Sequence, residues 1–358
     1  MNFDLSEEQE LFTSTVERFT APVDVEARRV LRSLPKGYDP ARWSEIAELG
    51  LIALAAPEDA GGMGGSALDL ALVGEALGKG NAPDPWLENG VLPARLLAAA
   101  GAHDALENIL SGESVVAVAW AERARRYNWV PAGTKLSGGA ITGEKTFVLG
   151  AALADHLIVT ALDGQETAFF LIPADRDGVE IRQYRLADGS ISGEVQLRGV
   201  AVSDDDRLDI SSDALAQITA DMRLLTSAEL MGLGQRLLDD TVAYVKEREQ
   251  FGVPIGSFQA LQHRLVECYA KIEQSRSMLY RTAMAADADP ADAHAAAAGA
   301  KAYIAESVDH VAREAVQMHG GMGVTDELAI GHSMKRVLVL TQLFGDVDTN
   351  LADYAKAA

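Results

Sequence analysis

Apolar residues recur at helical spacing over the first third of the chain. Leu11, Phe12, Val16 and Phe19 share one face, and Ser6 with Gln9 three residues later has the form of a reciprocal N-terminal cap. Further helices are expected over about 41–50, 67–78 and 91–110, with Gly-Gly-Met-Gly-Gly at 61–65 as a loop. From about 114 to 208 the period shortens towards two. VVAVAW, HLIVTAL, TAFFLIP, VEIRQY and GEVQLRGV read as short strands, punctuated by the turn sequences DGQE, DRDG and ADGS. From 211 onward the helical period returns in longer pieces. Leu230, Leu233, Leu237, Thr241 and Tyr244 mark one helix, Leu261, Leu265, Tyr269 and Ile272 the next, and an alanine-rich helix follows over about 290–318. The expected fold is α+β: an N-terminal helical domain (1–112), a central antiparallel β domain (113–210) built as a small barrel or sandwich, and a C-terminal four-helix bundle (211–358).

Composition narrows the function. The chain has 358 residues, 48% hydrophobic and 23% charged, with a net charge of -22. That charge repels nucleic acid and anionic membranes, so an anionic ligand would have to be held by local arginines or backbone N–H groups. A single cysteine, Cys268, leaves no internal disulfide and suits a reducing, cytoplasmic setting. No run of eighteen apolar residues is present, and the acidic start MNFDLSEEQE lacks an apolar signal core. Seven scattered histidines without a His-Glu-x-x-His pair make a metal site unexpected. Gly-Leu-Gly at 232–234 lies within a helix and follows no strand, so close helix packing explains it better than a phosphate loop.

Two segments invite a chemical reading. EREQFGVPIGSFQ (247–259) turns a corner at Phe251-Gly252 and Pro254, and QMHGGMG (317–323) ends the alanine-rich helix. Read locally, Arg248 can complement a helix C-terminus and Gly320 can cap a helix. Alternatively, an arginine and a phenylalanine around a helix-breaking corner, and glycines that admit close approach, suit a ligand that is both anionic and aromatic.

Together these segments resemble the acyl-CoA dehydrogenase family. The resemblance spans nearly the whole chain, since ELGLIALAAPEDAGGMGGSALDLALVGEALGKG (48–80) is similar to the family's N-terminal helical segment and GEKTFVLG (143–150) to its β domain. The resemblance implies α,β-desaturation of an acyl-CoA thioester, with a glutamate removing the α-proton and FAD accepting the β-hydrogen as hydride. It further implies that Arg248, Phe251, Gln259, Gln317, Gly320 and Gly321 reach across a subunit interface to FAD held mainly by a neighbouring subunit.

Several family positions differ. The Thr-Glu-Pro-Gly stretch corresponds to AWAERARR (119–126), with Ala121 at the threonine and Arg123 at the proline. Trp-Ile-Thr or Trp-Ile-Ser corresponds to Phe147-Val148-Leu149. Gly345, in LFGDVDTN (343–350), stands where the catalytic glutamate is expected, and Met222 stands at the alternative position on the first bundle helix. Asp346 and Asp221 each lie one residue away and are the candidate displaced bases.

This pattern resembles the shorter subunit of heteromeric (α2β2) acyl-CoA dehydrogenases, which act on bulky CoA thioesters including steroid side chains. The implied partners are a homologous subunit, an acyl-CoA and electron-transferring flavoprotein. The alternatives are a self-sufficient homo-oligomer with an aspartate base, and a flavin-free interaction module.

Overall fold

The computed structural model describes residues 5–20, 25–288 and 290–357. In chain order the first helices are α1 (Glu7–Thr20), α2 (Val25–Ser33), α3 (Pro40–Glu48), α4 (Ala67–Gly80), α5 (Leu92–Ala99) and α6 (His103–Leu110). Strands follow: β1 (Val116–Ala119), β2 (Lys135–Ser137), β3 (Ala140–Leu149), β4 (His156–Asp163), β5 (Glu166–Pro173), β6 (Val179–Arg185), β7 (Ile191–Ala201) and β8 (Arg207–Leu208). After α7 (Ser212–Glu247) come the short strands β9 (Glu249–Gln250) and β10 (Val253–Pro254). The helices α8 (Gln259–Ala288), α9 (Pro290–His319), α10 (Ala329–Leu340) and α11 (Val347–Ala357) complete the fold. No helix among the described residues is long and apolar enough to cross a membrane.

Chain contacts divide the molecule into two compact units. The helical unit takes the N-terminal segment to Val30, Ser66–Ala82 and everything from Thr219; the other unit takes Leu31–Gly65 and Pro83–Ile218.

In the helical unit, α1 begins with the cap read from sequence. Ser6 N donates to Gln9 Oε1 and Gln9 N donates to Ser6 Oγ, both at 3.1 Å. Helix α9 packs against α8, α10 and α11. Helix α4 lies against α8, and it meets α7 so closely that side chains are excluded. A β-carbon on Gly78 would stand 2.1 Å from Glu229 O, and one on Gly232 would stand 2.0 Å from Glu75 O. Gly-Leu-Gly at 232–234 is therefore a packing feature, in a helix that no nucleotide-binding strand precedes.

The second unit carries an eight-stranded sheet in the order β6-β7-β3-β2-β4-β5-β8, with β1 also on β4. The expected antiparallel sheet is in fact mixed, because β1 and β2 run parallel to β4. The physical reason is the long connection after β1, which holds the β2–β3 hairpin and returns the chain in its original direction. Ala117, Ile141, Leu157, Val159, Phe170, Val195 and Leu197 form much of the sheet's core. The 91–110 helical run also proves to be two helices. Gly101 takes φ +66 after α5, and Ala102 N donates to Leu97 O at 3.0 Å, which closes the helix in a Schellman-type cap.

Candidate functional site

The corner at 247–259 is a tight hairpin between two long helices. Arg248 N donates to Tyr244 O at 2.8 Å, the last helical bond of α7, and Arg248 O accepts from Ile255 N at 2.8 Å. Between them β9 pairs with β10, and the turn residues Phe251 (φ +55) and Gly252 (φ +80) both adopt left-handed backbone. That conformation is natural for Gly252 and costly for an aromatic residue. Phe251 is nonetheless 93% exposed, touching Phe258 edge-on at 6.2 Å. Arg248 and Gln259 are exposed, and the Arg248 guanidinium has no ion-pair partner among the described residues.

The Gly-Gly turn ends α9. Gly320 has φ +61, so the local cap reading holds. A β-carbon on Gly320 or Gly321 would also meet nothing within 4 Å, so this surface is open as well as tightly turned. Gln317 is exposed one turn earlier. The His319 ring, donating from Nδ1 to Ala315 O over 2.8 Å, stacks on the Tyr244 ring with centroids 4.1 Å apart. Since Tyr244 precedes Arg248 by one helical turn and His319 adjoins Gly320, the stack brings the two segments to one end of the helical unit.

In the β unit, Ala121 is buried and its carbonyl accepts from Thr146 N at 2.9 Å. Its neighbour Glu122 is a hub. The Glu122 carboxylate accepts from the backbone N–H of Ala132 and Gly133, both at 2.7 Å, from Thr134 N at 3.2 Å, and from Lys145 Nζ at 2.8 Å. Burial pushes the Glu122 carboxyl up, but the Lys145 ammonium and these donors outweigh it and hold it at about 2. Lys145 is fully buried and donates also to Thr160 Oγ1 at 2.9 Å; burial lowers it to about 8 despite Glu122. Arg123 pairs with Glu194 and Glu144. At the far end of β3 a bulge carries Phe147 at φ +56, and Leu149 lines a cavity of about 30 Å³ with Tyr38, Pro85, Asn89 and Leu153. That volume accommodates a water or two.

In the helical unit, the loop at the candidate base is pinned from several sides. Phe344 (φ +54) and Gly345 (φ +105) turn the chain, and a β-carbon on Gly345 would lie 2.6 Å from Asn350 Nδ2. Asp346 caps α11, its Oδ1 accepting from Thr349 N at 2.9 Å. Arg223 donates from Nε to Phe344 O at 3.2 Å and from Nη2 to Asp353 Oδ2 at 2.6 Å. Lys301, fully buried, donates to Leu340 O at 3.0 Å. Asp221 and Met222 are buried on α7.

Burial, and next the neighbouring Arg223, lower Lys301 to about 7, with Asp346 opposing. An unfolded lysine titrates near 10.5, so between the two values the unfolded chain binds more protons and stability rises with pH. Below about 7 both states are protonated and the burial cost is constant. Lys301→Met is expected to flatten this rise. Urea midpoints of both proteins at pH 7 and pH 9 check it, and parallel pH profiles would refute it.

Sequence models of the acyl-CoA dehydrogenase N-terminal and C-terminal domains match residues 6–112 and 213–358. Acyl-CoA dehydrogenase IpdE2 of Mycolicibacterium smegmatis is 33% identical over 347 residues, 95% of this chain and 96% of that protein. The chain belongs to the acyl-CoA dehydrogenase family. Among solved structures, the ChsE4–ChsE5 complex from Mycobacterium tuberculosis is similar with TM-score 0.89 and 28% identity, covering 99% of this chain and 98% of that one. The Tcur3481–Tcur3483 steroid ACAD (G363A variant) is similar with TM-score 0.88 and 28% identity, covering 98% and 97%.

FAD is the cofactor of acyl-CoA dehydrogenases, and the candidate residues of the two units, each taken by itself, differ in how they suit it. Arg248, free of carboxylates, and the open glycine turn fit a pyrophosphate and a close-lying planar ligand. Ala121 and Leu149 present apolar side chains with no hydrogen to donate, and the cavity beside Leu149 is far smaller than a flavin ring. Sequence reasoning missed the Glu122–Lys145 pair, Lys301 and the His319–Tyr244 stack. Only the stack had a legible signal, in two aromatic rings bordering the two motifs.

Proposed function

We propose that this acyl-CoA dehydrogenase chain is the base-lacking subunit of a heteromeric enzyme. In this reading Arg248, Phe251, Gln259, Gln317, Gly320 and Gly321 complete an FAD site seated mainly in a homologous partner, and the partner supplies the catalytic glutamate. The flavin, when bound, supplies the hydride acceptor for α,β-desaturation of an acyl-CoA thioester. This chain's contribution is binding and orientation: a guanidinium for phosphate oxygens, an aromatic wall and a turn without β-carbons. A neighbour described as a steroid ACAD and another described as a two-protein complex support a bulky acyl group and a heteromeric assembly.

The observation that carries the reading is the state of the base positions. Gly345 carries no side chain, at a φ of +105 where a β-carbon would crowd Asn350 Nδ2 at 2.6 Å, and Asp346 Oδ1 caps α11. The test is the visible spectrum and solution mass of the chain purified alone and co-expressed with a homologous subunit. A colourless chain that yields a yellow complex, with fewer flavins than subunits, is expected. A yellow homo-oligomer with one FAD per chain would overturn the reading.

A further inference from the structure

We infer that Tyr244 and His319 are positioning residues that hold the two cofactor-facing segments in register. The inference rests on the flavin reading for its consequence and on geometry for its substance. The corner at 248–259 and the turn at 317–323 are far apart in sequence. Each is locally closed: the corner by the Ile255 N to Arg248 O bond, the turn by the Gly320 cap. Local closure fixes the shape of each segment but not the placement of one against the other.

The ring stack supplies that placement. With centroids 4.1 Å apart and planes 25° from parallel, the two rings are in direct contact, and His319 is only 7% exposed. The imidazole cannot rotate freely, because Nδ1 is held to Ala315 O at 2.8 Å within its own helix. The backbone beneath it is equally confined: a β-carbon on Gly323 would stand 2.7 Å from Val316 O and 3.1 Å from His319 Cβ, so the chain after Gly320 folds back onto the last turn of α9. On the other helix, Tyr244 O is the acceptor of the Arg248 amide. A displacement of the tyrosine therefore moves the backbone from which the guanidinium projects. The stack thus links the last turn of α7 to the last turn of α9, immediately before both cofactor-facing segments begin.

The contact also explains why an aromatic pair, with His319 buried and Tyr244 half-buried, sits here beside open surface. Arg248, Phe251 and Gln317 are exposed and gain nothing from the core. A site made from exposed groups on two helices needs its precision from contacts just behind it.

The test is amide hydrogen exchange on the full-length chain, which requires no flavin. In His319→Ala, the Arg248 and Ile255 amides are expected to exchange about two- to tenfold faster, the factor corresponding to an aromatic pair of ordinary strength. Amides of the α7 core around Leu230 and Leu233 serve as the reference for unfolding of the helical unit and are expected to be unchanged. His319→Phe keeps a ring on Tyr244 and is expected to restore wild-type protection at the corner. If acceleration in His319→Ala is confined to 320–324, the corner holds itself and the inference is wrong. If His319→Phe behaves like His319→Ala, stacking is not the link and the inference is equally wrong. Failure of the flavin reading would show elsewhere, as unchanged FAD retention on removing Arg248.

Discussion

Arg248→Ala is expected to weaken FAD retention by the assembled flavoprotein about ten- to a hundredfold. The magnitude follows from losing charge-assisted hydrogen bonds to a phosphate group, worth about 1.5–3 kcal/mol where the donor is a charged guanidinium. The free chain should lose almost no stability, because Arg248 is exposed and has no ion-pair partner among the described residues. Arg248→Lys keeps the charge but not the fork, so it should fall between the two, and the affinity should become more sensitive to salt. Asp346→Asn makes the opposing test. Asparagine caps a helix about as well as aspartate, so α11 should remain intact, and a loss of turnover without a loss of stability would report lost base chemistry. Fluorescence titration of FAD into the apo-complex and a steady-state desaturation assay would measure both. A large effect at Asp346 with none at Arg248 would reverse the roles and return the chain to the self-sufficient class.

The order of elements was legible because periodicity survives without tertiary context. Ser6 and Gln9 cap α1 as their spacing requires, and the stripe through Leu230, Leu237 and Tyr244 lies on one long helix. The β2–β3 hairpin was not legible, since Lys135–Ser137 alternates polar residues and β3 is broken by Gly143 and a bulge. The parallel pairing of β1 with β4 was hidden for a different reason: strand direction depends on where a long connection returns, which no local pattern records.

The site divides in the same way. The chemistry of Arg248 and the glycine turn can be read from residue type, and so can the missing carboxylate at Gly345. That Asn350 fills the space beside Gly345 depends on the packing of α11, and only the fold reveals it. Lys301 reads in sequence as one polar residue in an alanine-rich helix, yet it is fully buried against the end of α10.

The second large effect is structural. Lys145→Met should destabilise the β unit by about 3–5 kcal/mol, the usual cost of removing one partner from a buried ion pair. Methionine replaces the buried stem well, so the loss reports charge and hydrogen bonding more than volume. It would leave the Glu122 carboxylate buried with only the backbone donors of Ala132, Gly133 and Thr134, and would strip Thr160 Oγ1 of its lysine partner. The pH dependence gives the sign. Glu122 is held at about 2 in the folded protein against an ordinary value of 4.5, so its contribution is present above about 4.5 and is lost as pH falls towards 2. Lys145→Met raises the folded value and removes that contribution, so the gap between variant and wild type should narrow as pH falls below about 4.5. The double variant Glu122→Gln with Lys145→Met should lose less than the sum of the two single variants, because it leaves no lone charge behind and each single variant does. Urea denaturation at pH 7 and pH 4 measures the three variants against the wild type. A loss under about 1 kcal/mol for Lys145→Met, or strict additivity in the double variant, would show that the pair does not hold this unit together. The expected result carries a consequence for function. The pair fixes the loop after Ala121 to the strand leading to Leu149, two positions that the proposed reading places at the flavin side of this unit. A strong pair there would mean that the frame of this region is maintained by its own internal chemistry, with no need of a cofactor to hold it.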